Sequence, residues 1–208
     1  NKIEAIRRLP APSSVKKLQT FLGIVNYQRS FIRNFSLLSN PLYNLLKKGV
    51  NFEWTTKHQE SFDALKDALS LSPILGLADV WDPSQSYEVH VDSSKFGQGA
   101  TLSQLDATGT RRVISYWSKA VPKHQQKYGA TRLEFLALYN SIMSWRIYLQ
   151  GTRFKVYSDC VALKNLDTIF SKDNAYMQRR LSNLSQFDFE ITHISGKSSD
   201  IQMADFLS

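Results

Sequence analysis

Four carboxylates in this chain occupy positions where chemistry could use them. Asp92 closes an alternating apolar stretch, Tyr87, Val89 and Val91, and is followed by the small residues Ser93, Ser94, Gly97 and Gly99. Glu134 is set among Leu133, Phe135, Leu136 and Leu138. Asp159 follows the short apolar run that begins at Phe154, and Asp205 lies between Met203, Phe206 and Leu207. Desolvating an unpaired carboxylate is costly, so acids on or beside apolar faces call for a partner. A divalent cation is one such partner. Mg²⁺ prefers hard oxygen ligands, and a set of Asp and Glu without His or Cys suits it. Two such ions about 3.5–4 Å apart can activate a water and stabilise the leaving oxygen in phosphodiester hydrolysis. Taken singly, each acid is more often a cap, a surface charge or an ion-pair partner. Four of them in strand–helix order are harder to dismiss.

The elements that must position them change character along the chain. The first seventy residues read as helix. Ser14 is placed to cap a helix whose stripe is Val15, Leu18, Phe21, Leu22 and Val25, with Pro10 and Pro12 keeping the preceding segment extended. A second helix is predicted to start near Pro41, carry Leu42, Leu45 and Leu46 on one face and end before Gly49. Thr55 is predicted to cap a third, with Phe62, Leu65 and Leu69 buried and Pro73 ending the helical region. Alternation then takes over at Tyr87–Val91, Ala100–Ser103 and Val113–Trp117, with a turn at Ala107-Thr108-Gly109. A long helix follows over Thr131–Leu149, then a strand at Phe154–Tyr157, helices at Val161–Leu166 and Asn174–Gln186, a last strand at Phe187–His193 and a short terminal helix from Ser199. Three antiparallel strands followed by alternating helices and strands imply a mixed sheet with helices packed on it. The boundary is expected where Gly, Asp, Pro and Ser collect, giving a helical segment 1–78, a linker 79–86 and a sheet domain 87–208.

At 208 residues the chain can hold two small cores. The formal net charge is +8; residues 1–80 contribute +5 and residues 81–208 contribute +3. A basic surface favours polyanions, nucleic acid foremost. The single cysteine, Cys160, excludes an internal disulfide and a cysteine-cluster metal site, and is expected simply to pack. No apolar run approaches the roughly 20 residues of a membrane helix, so no membrane partner is expected. The sequence does not open with methionine, which fits a piece of something longer.

The order Asp, Glu, Asp, Asp carries a resemblance. The run from His90 through Asp92, Gly97 and Gly99 to Gln104 resembles the first catalytic strand-turn-strand of ribonuclease H from gypsy-type LTR retrotransposons. Leu133-Glu134-Phe135-Leu136-Ala137-Leu138 is similar to that family's glutamate helix, and Val156-Tyr157-Ser158-Asp159 to its third-carboxylate strand. Ser195-Gly196-Lys197 and Met203-Ala204-Asp205-Phe206-Leu207-Ser208 resemble its closing segment. In the helical half, Leu9-Pro10-Ala11-Pro12, Leu18-Gln19-Thr20-Phe21-Leu22-Gly23, Asn26-Tyr27, Phe31–Ser36 and Phe52-Glu53-Trp54 resemble the thumb and connection that follow the polymerase palm in the same elements. The resemblance therefore spans nearly the whole chain.

It implies an α/β RNase H-like domain, a five-stranded mixed sheet flanked by helices, preceded by a small mainly helical thumb/connection domain. The implied activity is Mg²⁺-dependent cutting of the RNA strand of an RNA–DNA hybrid, with Mn²⁺ able to substitute. Asp92 is expected to bridge two ions, Glu134 and Asp159 to flank one and Asp205 to complete the other. Lys123, His124, Lys127, Arg179, Arg180 and Lys197 are the candidate hybrid contacts, each weighed against a solvated basic surface. Gly97 and Gly99 are expected to let the hairpin turn close beside the metals. Tyr116, Trp117, Trp145 and Tyr148 are read as core residues rather than base-stacking platforms. Two positions depart from the family's pattern: Cys160 stands where a histidine commonly follows the third carboxylate, and the 195–200 loop has no histidine, although His193 lies just upstream. The implied partners are the hybrid, the fingers and palm of the same polyprotein and a second copy of the chain. The implied setting is a cytoplasmic virus-like particle, with the nucleus as the alternative. Fingers, palm and polymerase aspartates are not in this sequence, so it is not expected to polymerise DNA by itself. The competing readings are a domesticated fragment that binds a protein or nucleic acid without cutting, and a purely structural subunit supporting a polymerase.

Overall fold

The computed structural model describes residues 8–70, 86–106, 108–170 and 173–194. Its first helix, α1 (Val15–Tyr27), begins where Ser14 Oγ accepts the Lys17 N–H at 3.3 Å. Leu18, Phe21, Leu22 and Val25 are its buried stripe, while Val15, expected on that stripe, is 39% exposed in the first turn. After a 3₁₀ turn, Arg29–Phe31, comes α2 (Phe35–Asn44). Pro41 lies inside this helix instead of starting it. The earlier start comes from Asn34, whose left-handed backbone (φ 54°) turns its carbonyl onto the Leu37 and Leu38 N–H groups. One missing N–H at Pro41 is tolerated because Leu42 and Leu45 are carried into the core. Gly49, with φ 82°, lies beyond the helix in the turn where the Val50 N–H donates to the Lys47 carbonyl at 3.2 Å. Helix α3 (Thr56–Ser70) takes the His58 and Gln59 N–H groups on the Thr55 carbonyl and buries Phe62, Leu65 and Leu69. Together these helices enclose a core of their own, in which Phe21 and Phe62 lie 4.5 Å apart.

The second half is a five-stranded sheet in the order β3-β2-β1-β4-β5. Strands β1 (Tyr87–Ser93), β2 (Gly97–Leu105) and β3 (Arg111–Ala120) form an antiparallel meander. Strands β4 (Arg153–Ser158) and β5 (Asp188–His193) add in parallel to β1. The alternate residues Tyr87, Val89, Val91, Ala100, Leu102, Phe154 and Val156 turn to one face and meet Phe135, Leu138 and Ile142 of α4 (Ala130–Ser144). The long helix expected over Thr131–Leu149 breaks at Trp145 (φ −104°, ψ 17°), and a single turn, α5 (Arg146–Leu149), follows. The break turns both Trp145 and Leu149 into the core, at 4% and 0% exposure. A 3₁₀ turn at Val161–Asn165, α6 (Leu166–Phe170) and α7 (Ala175–Leu184) complete the helical cover, with Phe170 stacked on Phe135 at 4.2 Å. Trp117, Tyr148 and Cys160 pack against this core as expected, whereas Tyr116 turns to the opposite face. The predicted terminal helix, Pro73, and the segment that would hold the linker to Gln85 lie outside the described residues.

Candidate active site

The parallel pairing of β1 with β4 sets the site. Their register runs from Tyr87 opposite Phe154 to His90 opposite Tyr157. Two residues further along stand Asp92, near the end of β1, and Asp159, just past the end of β4, so the same register sends both carboxylates to one end of the sheet. Glu134, in the second turn of α4, reaches the same end. Its carboxylate accepts the backbone N–H of Ser93, the residue after Asp92, and Ser158 Oγ, the residue before Asp159, donates to Oε2 at 3.5 Å. One glutamate is thereby tied to both strand ends.

The three acids differ in exposure. Asp92 and Asp159 are exposed, and Glu134 is 5% exposed. The expectation of an acid in apolar surroundings therefore holds for Glu134, while the two aspartates face solvent at strand ends. Burial pushes the Glu134 carboxyl up to about 8, and the negative charges of Asp92 and Asp159 push in the same direction. The hydrogen bonds from Ser93 and Ser158 pull it down and are outweighed. A buried acid raised by two neighbouring acids marks a place of excess negative charge, which a cation would relieve.

Among the described residues no three His, Cys, Asp or Glu side chains close into a finished ion-binding group. The donor set present is nonetheless all oxygen, mutually repelling and open to solvent on the side of the aspartates, which fits a hard divalent ion. Asp205, the expected fourth carboxylate, and Lys197 lie outside the described residues.

The other site residues separate. Lys123, His124 and Lys127 are exposed on the turn before α4. That turn meets the start of α7, where Gln125 Nε2 donates to the Tyr176 hydroxyl at 3.4 Å. Arg179 is exposed on α7. Arg180 is instead held between aromatic rings, 3.5 Å from the Tyr176 centroid and 5.0 Å from that of Tyr139, so much of its role is packing. The turn does not require glycine at 97 or 99: neither has a positive φ, and the turn closes between Ser94 and Gly97, where Ser94 Oγ accepts the Phe96 and Gly97 N–H groups and the Ser94 N–H donates to the Gly97 carbonyl. Two supporting side chains went unread in the sequence. Besides Ser158, the buried Gln98 donates to the Leu133 carbonyl at 3.0 Å and so fixes the Asp92 hairpin to the helix turn that carries Glu134. Its signal was a large amide flanked by two glycines on the strand face that also carries Ala100 and Leu102.

This constellation on a β3-β2-β1-β4-β5 sheet is of the RNase H-like class. Residues 54–156 match the model of the RNase H-like domain found in reverse transcriptase. The chain is 33% identical over 212 residues to the Transposon Tf2-3 polyprotein of Schizosaccharomyces pombe, an alignment covering 99% of this chain and 15% of that polyprotein. A foamy viral protease-reverse transcriptase in complex with double-stranded DNA superposes with a TM-score of 0.74 at 21% identity, covering 94% of this chain and 41% of that one. The same kind of protein in complex with an RNA/DNA hybrid gives 0.73 at 22% identity, covering 92% and 26%. Residues 54–156 belong to the RNase H-like domains of reverse transcriptases; the chain as a whole is similar to gypsy-type retrotransposon polyproteins and spans about a seventh of the length of the relatives it matches.

Proposed function

We propose that this segment hydrolyses the RNA strand of RNA–DNA hybrids as the C-terminal part of a retrotransposon reverse transcriptase. The observation that carries the reading is the meeting of Asp92, Glu134 and Asp159 at one end of a parallel strand pair, where burial first and then the charges of the two aspartates push the Glu134 carboxyl up to about 8. Asp92, Glu134 and Asp159, with Asp205 as the fourth, would hold two Mg²⁺ ions, or Mn²⁺ in their place. When bound, such ions supply a nucleophilic water and stabilise the departing oxygen. The protein's own part is positional. Asp92 and Asp159 present oxygens to solvent from rigid strand ends, and Ser93 and Ser158 hold Glu134 against them. Lys123, Lys127 and Arg179 are exposed cations, and His124 an exposed imidazole, for the phosphate backbone; Arg180 and Lys197 are proposed for the same role. Discrimination of RNA from DNA would rest on contacts to 2′-hydroxyls in the minor groove.

The foamy viral relative solved with an RNA/DNA hybrid supports this substrate class. The fingers and palm of the same polyprotein would be the functional partner, a homodimer a further assembly, and a cytoplasmic virus-like particle or the nucleus the setting. The test is cleavage of a hybrid labelled separately on each strand, in Mg²⁺, Mn²⁺ and chelator, beside Asp92→Asn. RNA-strand cutting that needs both metal and Asp92 is expected, with the variant at least about a hundredfold slower if Asp92 acts on charge that develops in the transition state. Cutting that survives in Asp92→Asn would sink the assignment, and hybrid binding without cutting would favour the non-catalytic binding module.

A further inference from the structure

The two glycines that the hairpin turn does not need lie under the helical module. A Cβ built on Gly97 would sit 2.6 Å from Leu37 Cδ2 and 2.8 Å from Leu37 Cγ, and one on Gly99 would sit 3.2 Å from Asn34 Oδ1. Gly99 pairs directly with Asp92 on one side and with Ser118 on the other. Directly opposed residues of an antiparallel pair point to the same face. Asn34 and Leu37 therefore lie on the sheet face that the Asp92 side chain shares, opposite α4. Ser118, at the far end of the row, is held twice more: its Oγ accepts the Ser36 N–H at 3.0 Å and its carbonyl accepts Arg29 Nη2 at 3.1 Å. Strand β3 is a sheet edge, so Arg29 satisfies a carbonyl there. Asn34 is the one non-glycine residue with positive φ among the described residues, a conformation asparagine tolerates. With its carbonyl committed to α2 and its side chain making no capping bond, the amide is carried over Gly99.

We propose that the helical module is a positioning element of the catalytic centre. Arg29, Asn34 and Ser36 clasp the row Asp92–Gly99–Ser118 from one face and Leu37 covers the neighbouring Gly97, while α4, through Gln98, holds the same hairpin from the other. The helical module is thus part of what fixes Asp92 relative to Glu134 and Asp159, and the glycines at 97 and 99 are there to admit it. This inference rests on the nuclease reading.

The test uses the whole chain with Gly97→Ala, the double variant Gly97→Ala/Leu37→Ala, and Asn34→Gly, which keeps the left-handed turn and removes the amide. Unfolding midpoint, Mg²⁺ half-saturation followed by the ¹³C carboxyl resonances, and single-turnover hybrid cleavage are measured together. Gly97→Ala is expected to stay folded, to need more Mg²⁺ for half-saturation, and to cut about tenfold more slowly with unchanged KM, because small displacements of a catalytic group cost rate more than binding. Removing the Leu37 side chain in the double variant should restore both Mg²⁺ response and rate to within about twofold, since the added methyl then has room. Asn34→Gly should lower the rate in the same sense, and it decides the matter if Gly97→Ala fails to fold. A wild type that cuts, beside folded Gly97→Ala and Asn34→Gly variants with unaltered Mg²⁺ response and rate, overturns the positioning role alone. A wild type that neither responds to Mg²⁺ nor cuts overturns the nuclease reading, and the positioning role with it.

Discussion

Glu134 is an acid that the fold holds against its own preference. Buried and facing Asp92 and Asp159, its carboxyl is raised from the ordinary range to about 8. Between those two values the folded chain binds a proton that the unfolded chain has lost. Metal-free stability contributed by this group is therefore fully present at acid pH below about 4.5 and falls as pH rises towards 8, by up to about 4 kcal/mol. Glu134→Gln should flatten that decline, which denaturant titrations at pH 5, 6.5 and 8 would show; an unchanged slope would mean that Glu134 is not the group responsible. The carboxylates themselves were readable in the sequence, since their order along strand, helix and strand is written in residue types. Their fastening was not. That Ser93 and Ser158 bond to Glu134 depends on two strand ends meeting a helix from 41 or 24 residues away, a distance no local pattern encodes.

At the scale of elements, alternation and helical spacing located every strand and most helices of the described residues, and the errors have physical causes. Helix α2 begins before Pro41 because a left-handed Asn34 supplies its start, a backbone state that composition does not announce. The α4–α5 break arises because Trp145 and Leu149 must both enter the core, which tertiary packing decides. Helix α4 is the element that sets Glu134 against the sheet, and Phe135 at 0% exposure, stacked on Phe170 at 4.2 Å, is its anchor. Phe135→Ala is expected to cost about 3–5 kcal/mol in a urea titration, with the cavity under α4 left unfilled. A loss below about 1 kcal/mol would show that the helix is held mainly by other contacts. Gln98→Ala, by contrast, removes a buried tie between the Asp92 hairpin and α4 and should lower cleavage more than it lowers stability; equal losses would make Gln98 a packing residue only.

Over the whole molecule, two hydrophobic cores are joined through the clasp on β2 and β3. The separate cores were foreseeable from the change in periodicity, but the side on which they meet was not, because Gly97 and Gly99 look alike in sequence whether they serve a turn or admit a neighbour. Phe62→Ala, in the helical core, is expected to cost about 3–5 kcal/mol there and to strip amide-exchange protection from α1–α3 before the sheet loses its own. Simultaneous loss in both halves would instead show one cooperative unit.

The measurement that bears most directly on the shared charge of the site is a ¹³C carboxyl NMR titration of Glu134 in the intact chain, with and without Mg²⁺. Without the ion the midpoint should lie near 8, and Asp92→Asn should lower it. Added Mg²⁺ should draw the midpoint down towards the ordinary carboxylate range. A midpoint near 4.5 that responds to neither Asp92→Asn nor Mg²⁺ would contradict a carboxylate cluster built to hold divalent ions.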